Sequence, residues 1–594
     1  MSVHTRAKSI AVVGAGPSGL VTCKELLQEG HTVTCFEETD SLGGVFAFRR
    51  DPHSVGVWES CRLTSSILVT SFSDYFPNWR TPVPFEHRQM QHHEYIAYLT
   101  NYSVQFDVLS KIRFHCRVSQ ISRCDSQSWY VTVTDSKSNE EQRLKFDAVA
   151  VCSGIHRIPC VPNLPGLTRF RGHVLHAANY KNPSSLKGKS ALFIGAGESG
   201  ELIAEASRYL DRSFLSLRRG VFVIPRLLND FPNDYTGTRL LYSLPDFLSR
   251  RTDAQAQTLK RRIRILLFPV TLLRAVVIRG QQLLTARSRN KSIDKYRTQM
   301  RTTLGNSKAN QLFERQDARA AKIKELIEQL RANAGGNQFE TFATKTEAFV
   351  EAIIDGRCEL RPSIARITPE GAVFSDGTEV EVDSIVLCTG YREATVPCLS
   401  GQVDLRRLYK NCFDPRHGET LCFIGFVRPP LGSIPPMAEL QARWYAKLLS
   451  GVIRLPSAEE MDRHIQQELA GRSKYHRHVF TRLPHLVDFS TYMDDLAERI
   501  GCKPRLVDFL LKPRLLYKLY TGAFCGVQYR FRGPHSNPEM AGKVMLHCHS
   551  HAQLVRFLDL GLAQLARLIG LASFQPHLSL IGHIRKRREL GPIQ

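Results

Sequence analysis

The chain has 594 residues, 43% hydrophobic and 23% charged, and a formal net charge of +24. That length can bury a large core divided among about two to four domains, and the proportions are those of a globular protein and not of a disordered one. The charge is concentrated: fourteen Arg or Lys against two Asp stand between Arg250 and Arg301, so half the excess belongs to one segment, which points to an anionic surface, membrane or nucleic acid.

Taken in chain order, the first signal is SIAVVGAGPSGLVTCKELLQEG (9 to 30), an apolar strand running through Gly14, Gly16 and Gly19 into a helical pattern. Three glycines so placed permit a tight turn, close approach of backbone to a pyrophosphate, and close packing of helix on strand. The fingerprint begins too near the N-terminus to leave space for a secretory signal peptide before it. A second strand, HTVTCFEE (31 to 38), carries Glu37 at 23 residues past Gly14, where a carboxylate accepts hydrogen bonds from a ribose diol.

KFDAVAVCSG (145 to 154) reads as a buried strand, and KSALFIGAGESGELIAEASRYL (189 to 210) repeats the fingerprint with Gly195, Gly197 and Gly200. Its second strand, SFLSLRRG (213 to 220), has Arg218 where the first unit has Glu37. A cation there suits a 2′-phosphate. The first site is therefore expected to take FAD and the second NADPH in preference to NADH. Further on, SDGTEVE (375 to 381) is a hairpin cue and EVDSIVLCTGY (381 to 391) a second buried crossing strand. The expected fold is α/β, with two Rossmann-like dinucleotide-binding domains, the NADPH domain nested in the FAD domain.

FRGHVLHAANYKNP (170 to 183) fits F-x-G-x-x-x-H-x-x-x-Y through Phe170, Gly172, His176 and Tyr180. With SLGGVF (41 to 46), FSDYFP (72 to 77), LCTGY (387 to 391) and PLGSIPPMAELQARW (430 to 444), this order of motifs resembles the flavin-containing monooxygenases over nearly the whole chain. Tyr180 favours that group over the Baeyer-Villiger monooxygenases, which typically carry Trp there. The resemblance implies that NADPH reduces FAD, that oxygen adds at flavin C4a, and that the hydroperoxide passes one oxygen to a nitrogen or sulfur of a small molecule. It also implies that Gly14, Ala15, Gly16, Pro17, Ser18 and Gly19 hold FAD phosphates, Glu37 its ribose, and Gly44, Val45 and Phe46 the region of the ring. Ser199, Gly200 and Arg218 are the corresponding NADP contacts. Where the family has an Asn beside flavin and NADP, this chain has Thr64, which can form fewer hydrogen bonds; Ser65 and Ser66 are candidates to supply the missing contact. A Baeyer-Villiger ketone oxygenase and a peroxide-releasing NADPH oxidase are the rival activities, and a protein holding FAD only as a structural element is the rival from another class. No cysteine pair follows Gly44, which disfavours a flavin disulfide reductase.

The 15 cysteines lack a C-x-x-C pair, and Cys23, Cys35, Cys388 and Cys422 lie in apolar runs, as buried thiols of an intracellular protein do. His547, Cys548, His549 and His551 are close in sequence but lack metal-ligand spacing, so no metal is expected; HHEY (92 to 95) falls in an amphipathic helical stretch. The basic insert of about 235 to 335 contains an apolar run at 258 to 285, and the tail another at 557 to 582; both are interrupted by charge and proline. Neither qualifies as a spanning helix. Both suit helices lying in a membrane interface, with internal packing or homodimer contacts as the alternative. Nucleic acid is disfavoured because the basic residues accompany aliphatics and not stacking aromatics. The expected domains are 1–165 for FAD, 166–345 for NADPH with the insert, 346–540 for the second part of the FAD domain, and 541–594 as an apolar and basic tail. The expected location is the cytoplasm or the cytoplasmic face of an internal membrane such as the endoplasmic reticulum.

Overall fold

The computed structural model describes residues 7–76, 88–124, 128–186, 188–228, 231–239, 298–334, 343–399, 403–475 and 485–548. Two compact units are present, one comprising Met1–Arg226, Ile327–Asp508 and Cys525–His547, the other Leu227–Leu326, Phe509–Phe524 and Cys548–Gln594.

Both dinucleotide folds lie in the first unit. Its opening strand β1 (Ser9–Val13) leads through helix α1 (Pro17–Gln28) to β2 (Thr32–Phe36). Then come β3 (Arg62–Ser66), the short helix α2 (Ile67–Thr70) and helix α3 (His92–Gln105), whose start is closed by a Gln91/Glu94 capping box. This is the HHEY stretch, folded as the helix its pattern predicts. Strand β4 (Ile112–Arg113) precedes an antiparallel meander of β5 (Cys116–Arg123), β6 (Trp129–Asp135) and β7 (Glu141–Phe146), and β8 (Ala148–Val151) follows. The second fold comprises β9 (His173–His176), β10 (Ser190–Ile194), α4 (Gly200–Ala206), β11 (Arg212–Ser216), β12 (Glu359–Arg361), a hairpin sheet of β13 (Ile364–Ile367), β14 (Gly371–Phe374) and β15 (Glu379–Glu381), and β16 (Ser384–Leu387). The chain then returns through β17 (Leu421–Phe423) to the long helix α5 (Ile434–Leu449).

The first sheet runs β17-β8-β1-β2-β4 and the second β9-β16-β10-β11-β12, all pairs parallel. Strands covered on both faces read as continuous apolar runs; accordingly Ile10, Ala11, Val12, Val149 and Ala150 have no exposed surface. The first core also gathers Phe36, Trp129, Phe146 and Phe423. There the Phe36 and Phe146 rings meet edge to face, with centroids 6.0 Å apart, a geometry that adds about 0.5–1.5 kcal/mol beyond area burial.

The chain leaves the first sheet after β8, completes the second, and returns only after β16. The second fold is thus nested in the first, and residues 359–361 and 384–387 pair in its sheet. An apolar strand run such as SIVL carries no mark of which sheet it joins. The two crossing segments pair with each other: Cys160 N–H donates to Gly390 O and Arg392 N–H to Ile158 O, each at 2.8 Å.

In the second unit a hairpin of Leu227–Leu228 with Phe231–Pro232 and a helix, Pro513–Thr521, are described. Phe524 N–H donates to Gly237 O at 2.8 Å. The expected helical insert includes the 29-residue helix Asn306–Ala334; its apolar run at 258–285 and the tail run at 557–582 lie outside the described residues. Among the described residues no helix is long and apolar enough to cross a membrane. His547 ends the helix Pro538–His547, its Nδ1 2.7 Å from Lys543 O, while His549 and His551 lie outside the described residues.

Candidate active site

The glycine positions of the first turn have separable roles. Gly14 has φ 101°, and a Cβ there would sit 3.0 Å from Cys152 O; at Gly19 it would lie 1.8 Å from Gly14 O. At Gly16 the nearest atom to such a Cβ is Gly44 Cα at 3.7 Å, so backbone stays open to a ligand on that side. Helix α1 begins with Pro17 and has no side-chain cap, which leaves its first N–H groups for phosphate oxygens. The SLGG segment lies against this turn: Gly43 N–H donates to Ala15 O at 2.9 Å. The 3-10 turn Gly44–Phe46 then sets the Phe46 ring edge-on to Tyr95 at 5.0 Å.

Glu37 is buried, and its carboxylate accepts from Ala15 N–H at 2.8 Å, Thr39 N–H at 3.0 Å and Thr39 Oγ1 at 2.7 Å. These bonds fix its orientation at the end of β2. Two oxygens offer about four acceptor positions, so capacity for a ribose hydroxyl remains.

The second turn repeats the geometry with different neighbours. Gly195 has φ 88°, and its N–H donates to Ser216 O at 3.0 Å. A Cβ at Gly200 would meet the Phe349 ring at 2.8 Å, whereas at Gly197 nothing lies within 4 Å. Ser199 precedes α4 without capping it. Two residues beyond Ser216, Arg218 and its neighbour Arg219 are exposed and make no hydrogen bond or ion pair among the described residues. Their charge is available to a ligand at this turn.

The F-x-G-x-x-x-H-x-x-x-Y stretch ties these parts together. Phe170 packs on the second core, and Gly172 lies where a Cβ would be 2.5 Å from Asp383 O. His176 Nδ1 accepts from Ala178 N–H at 3.0 Å, and its ring faces Tyr391 of the LCTGY segment at 6.1 Å. Tyr180, fully buried, donates to Glu205 Oε2 at 3.2 Å on α4, and the other Glu205 oxygen accepts from Ser60 Oγ at 2.6 Å. Lys181 Nζ donates to Ser54 O and Oγ at 2.8 Å. The stretch thereby clasps residues 54–60 of the first fold to the fingerprint helix of the second. Glu205 had no signal in the sequence, since its role arises only from this contact.

Of the three candidate catalytic residues, two are committed. Ser65 Oγ lies 2.6 Å from Thr70 Oγ1 and donates to Ser433 Oγ at 3.4 Å; Ser66 Oγ caps α2 by accepting from Val69 N–H at 3.4 Å. Thr64 is half-buried, and its hydroxyl forms no hydrogen bond among the described residues. Beside the paired crossing segments, burial and the Arg428 guanidinium, 3.1 Å away, push His156 down to about 3.

Two open glycine turns on two parallel sheets, one followed by a fixed carboxylate and the other by arginines unpaired among the described residues, fit a protein that binds two dinucleotides. The profile described as flavin-binding monooxygenase-like matches residues 7–264 and 293–552. The chain belongs to that family, and is an NADPH-dependent monooxygenase with FAD as its flavin. It is 32% identical over 537 residues to a 4-hydroxybenzoate brominase (decarboxylating) of Marinomonas mediterranea, covering 90% of this chain and 91% of that one. With dimethylaniline monooxygenase [N-oxide-forming] 2 of Oryctolagus cuniculus it is 30% identical over 549 residues, 89% of each chain. Among solved structures, S-allyl-L-cysteine S-oxygenase from Allium sativum aligns with a TM-score of 0.55 at 20% identity, covering 95% of this chain and 99% of that one.

Proposed function

We propose that the enzyme transfers one oxygen atom of O₂ to a nitrogen or sulfur of a small organic molecule, at a site beside Thr64. Reduced FAD supplies the electrons that activate O₂, the second oxygen leaving as water. The chain's own part is to hold and shield. The turn from Gly14 to Gly19 cradles the FAD phosphates, Glu37 orients the ribose, and Gly44, Val45 and Phe46 bound the ring. Gly195, Gly197, Ser199 and Gly200 approach the NADPH phosphates, with Arg218 at the 2′-phosphate. The observation that carries the reading is the division of labour at 64–66. Ser65 and Ser66 spend their hydroxyls on the scaffold while that of Thr64 forms no hydrogen bond among the described residues, and oxygen transfer to a soft nucleophile needs a positioned hydrogen bond and exclusion of water, not a side-chain nucleophile.

The likeness to a brominase favours a second reading in which bromide is the soft nucleophile and an electron-rich ring is halogenated. Purified enzyme with NADPH and isotopically labelled O₂ is offered N,N-dimethylaniline, thioanisole, cyclohexanone, or bromide with 4-hydroxybenzoate. One labelled oxygen in an N-oxide or sulfoxide supports the first reading. A brominated ring alone selects the second; an ester from the ketone alone, or only hydrogen peroxide, sinks both.

We propose further that the enzyme works in the cytoplasm or at the cytoplasmic face of an internal membrane, with the apolar and basic runs at 258–285 and 557–582 as the peripheral contact. Sedimentation with anionic vesicles that survives deletion of 258–285 counts against the first of these segments. Homodimer contact is the alternative use of both runs, read by sedimentation equilibrium.

A further inference from the structure

Four segments far apart in sequence converge on one buried cluster of charge. Arg530, in the 3-10 turn Gly526–Arg530, is 1% exposed. Its Nη2 donates to Glu439 Oε1 at 2.8 Å, Asp74 Oδ2 at 2.9 Å and Glu25 Oε1 at 3.3 Å, and its Nε to Ser73 Oγ at 2.6 Å. Lys24 Nζ bridges Glu25 at 2.9 Å and Asp74 at 2.5 Å. Ser73 closes the ring, its N–H donating to Glu439 Oε2 at 2.7 Å and its Oγ donating to Glu439 Oε1.

Carboxylates from Glu25, Asp74 and Glu439 meet closely enough to hold a metal ion, but the Arg530 guanidinium already stands among them. Burial works against every charge here. Even so, the Arg530 and Lys24 cations hold Asp74 down to about 2 and keep Glu25 below the usual carboxylate range, while burial prevails at Glu439 and raises it.

Stability alone does not account for such a cluster, because well-packed apolar residues in place of a buried ionic group are often as stabilising or more so. What the cluster does uniquely is fix relative placement. Lys24 and Glu25 are on α1, the helix whose N-terminus forms the first glycine turn. Ser73 and Asp74 follow the α2 segment that continues from Thr64–Ser66. Glu439 is on α5, and Ser433, the residue just before that helix, accepts a hydrogen bond from Ser65.

We propose that Arg530 is a positioning residue for the flavin site: by bonding to α1, to the segment after α2 and to α5 at once, it sets the distance between the phosphate turn and Thr64. It touches no ligand and acts through the elements that do. This inference rests on the reading that FAD lies over Gly14–Gly19 and beside Thr64.

Arg530→Lys keeps the charge but offers three N–H donors where the guanidinium has five. Three readouts are compared with wild type: FAD affinity, from the rise in melting temperature on adding FAD back to stripped protein; hydrogen peroxide released per NADPH consumed; and KM for NADPH. The expected result is FAD affinity reduced about tenfold, the scale of one charge-assisted bond. A higher peroxide yield and an unchanged KM for NADPH are expected with it, since Arg218 and the second turn lie outside the cluster. Glu439→Gln, which preserves shape and removes one anion, shifts FAD affinity and peroxide yield in the same direction by less and carries the comparison if Arg530→Lys does not fold.

A folded Arg530→Lys protein with wild-type FAD affinity and peroxide yield overturns the inference, whatever its melting temperature. If NADPH and FAD affinities fall together, the residue is a general scaffold element and the inference also fails. Should wild type itself bind no FAD or fail to bleach with NADPH, it is the functional reading that falls.

Discussion

Arg218→Ala isolates the coenzyme's 2′-phosphate. The side chain is exposed beside the second glycine turn and has no carboxylate partner among the described residues, so its removal orphans no buried charge and empties no core. What is lost is only what a phosphate gains from it. A hydrogen bond to a charged group contributes about 1.5–3 kcal/mol, and solvent screening at an exposed site reduces this to about 1 kcal/mol. The KM for NADPH should therefore rise about fivefold, and that for NADH should not move. Arg219 is adjacent and equally exposed, so Arg219→Ala should show a smaller loss of the same kind, and added salt should shrink both effects. Rapid-mixing measurements of flavin reduction with each coenzyme provide the assay, with thermal melting to verify the fold. Equal losses for NADPH and NADH would show that Arg218 contacts something common to both, and no loss at all would assign discrimination elsewhere.

Thr64→Asn should lower the hydrogen peroxide released per NADPH consumed, because an amide braces two partners where a hydroxyl satisfies fewer; an unchanged ratio would mean that the site is built around threonine. Gly19→Ala should abolish FAD retention through gel filtration, since its Cβ would fall 1.8 Å from Gly14 O; a flavin-loaded variant would contradict the packing role. Tyr180→Phe removes one hydrogen bond to Glu205, at a cost of about 1 kcal/mol, read as a lower melting temperature with the same fold. His156 has its folded pKa at about 3, below its unfolded value, so its contribution is fully present above about pH 6.5 and is lost as pH falls from there towards 3. His156→Gln should accordingly flatten the melting temperature over that range, and an identical slope in both proteins would refute the assignment.

The nucleotide folds were legible because their chemistry is local. Gly14, Gly16 and Gly19 act within one turn, and Glu37 and Arg218 each follow at a fixed distance set by a strand, a helix and a second strand. Spacing carries that information without reference to the rest of the chain. The hairpin at 375–381 was legible for the same reason, since Gly377 with φ 82° makes the turn its neighbours require. Residues whose role is a meeting were not legible. Glu205 looks like an ordinary helix residue until Tyr180 and Ser60 arrive on either side, and Glu25, Asp74, Glu439 and Arg530 share no period. The sheet that β16 joins was not legible either, because that strand is identified only by its pairing with β9 and β10. Motif positions therefore specify what can bind, while the long-range contacts specify how the binding parts are spaced. In an enzyme whose flavin does the chemistry, the proposed point of control is that spacing: a glycine turn can hold a phosphate in isolation, but a flavin-site role for Thr64 requires α1, the segment after α2 and α5 to be kept in register.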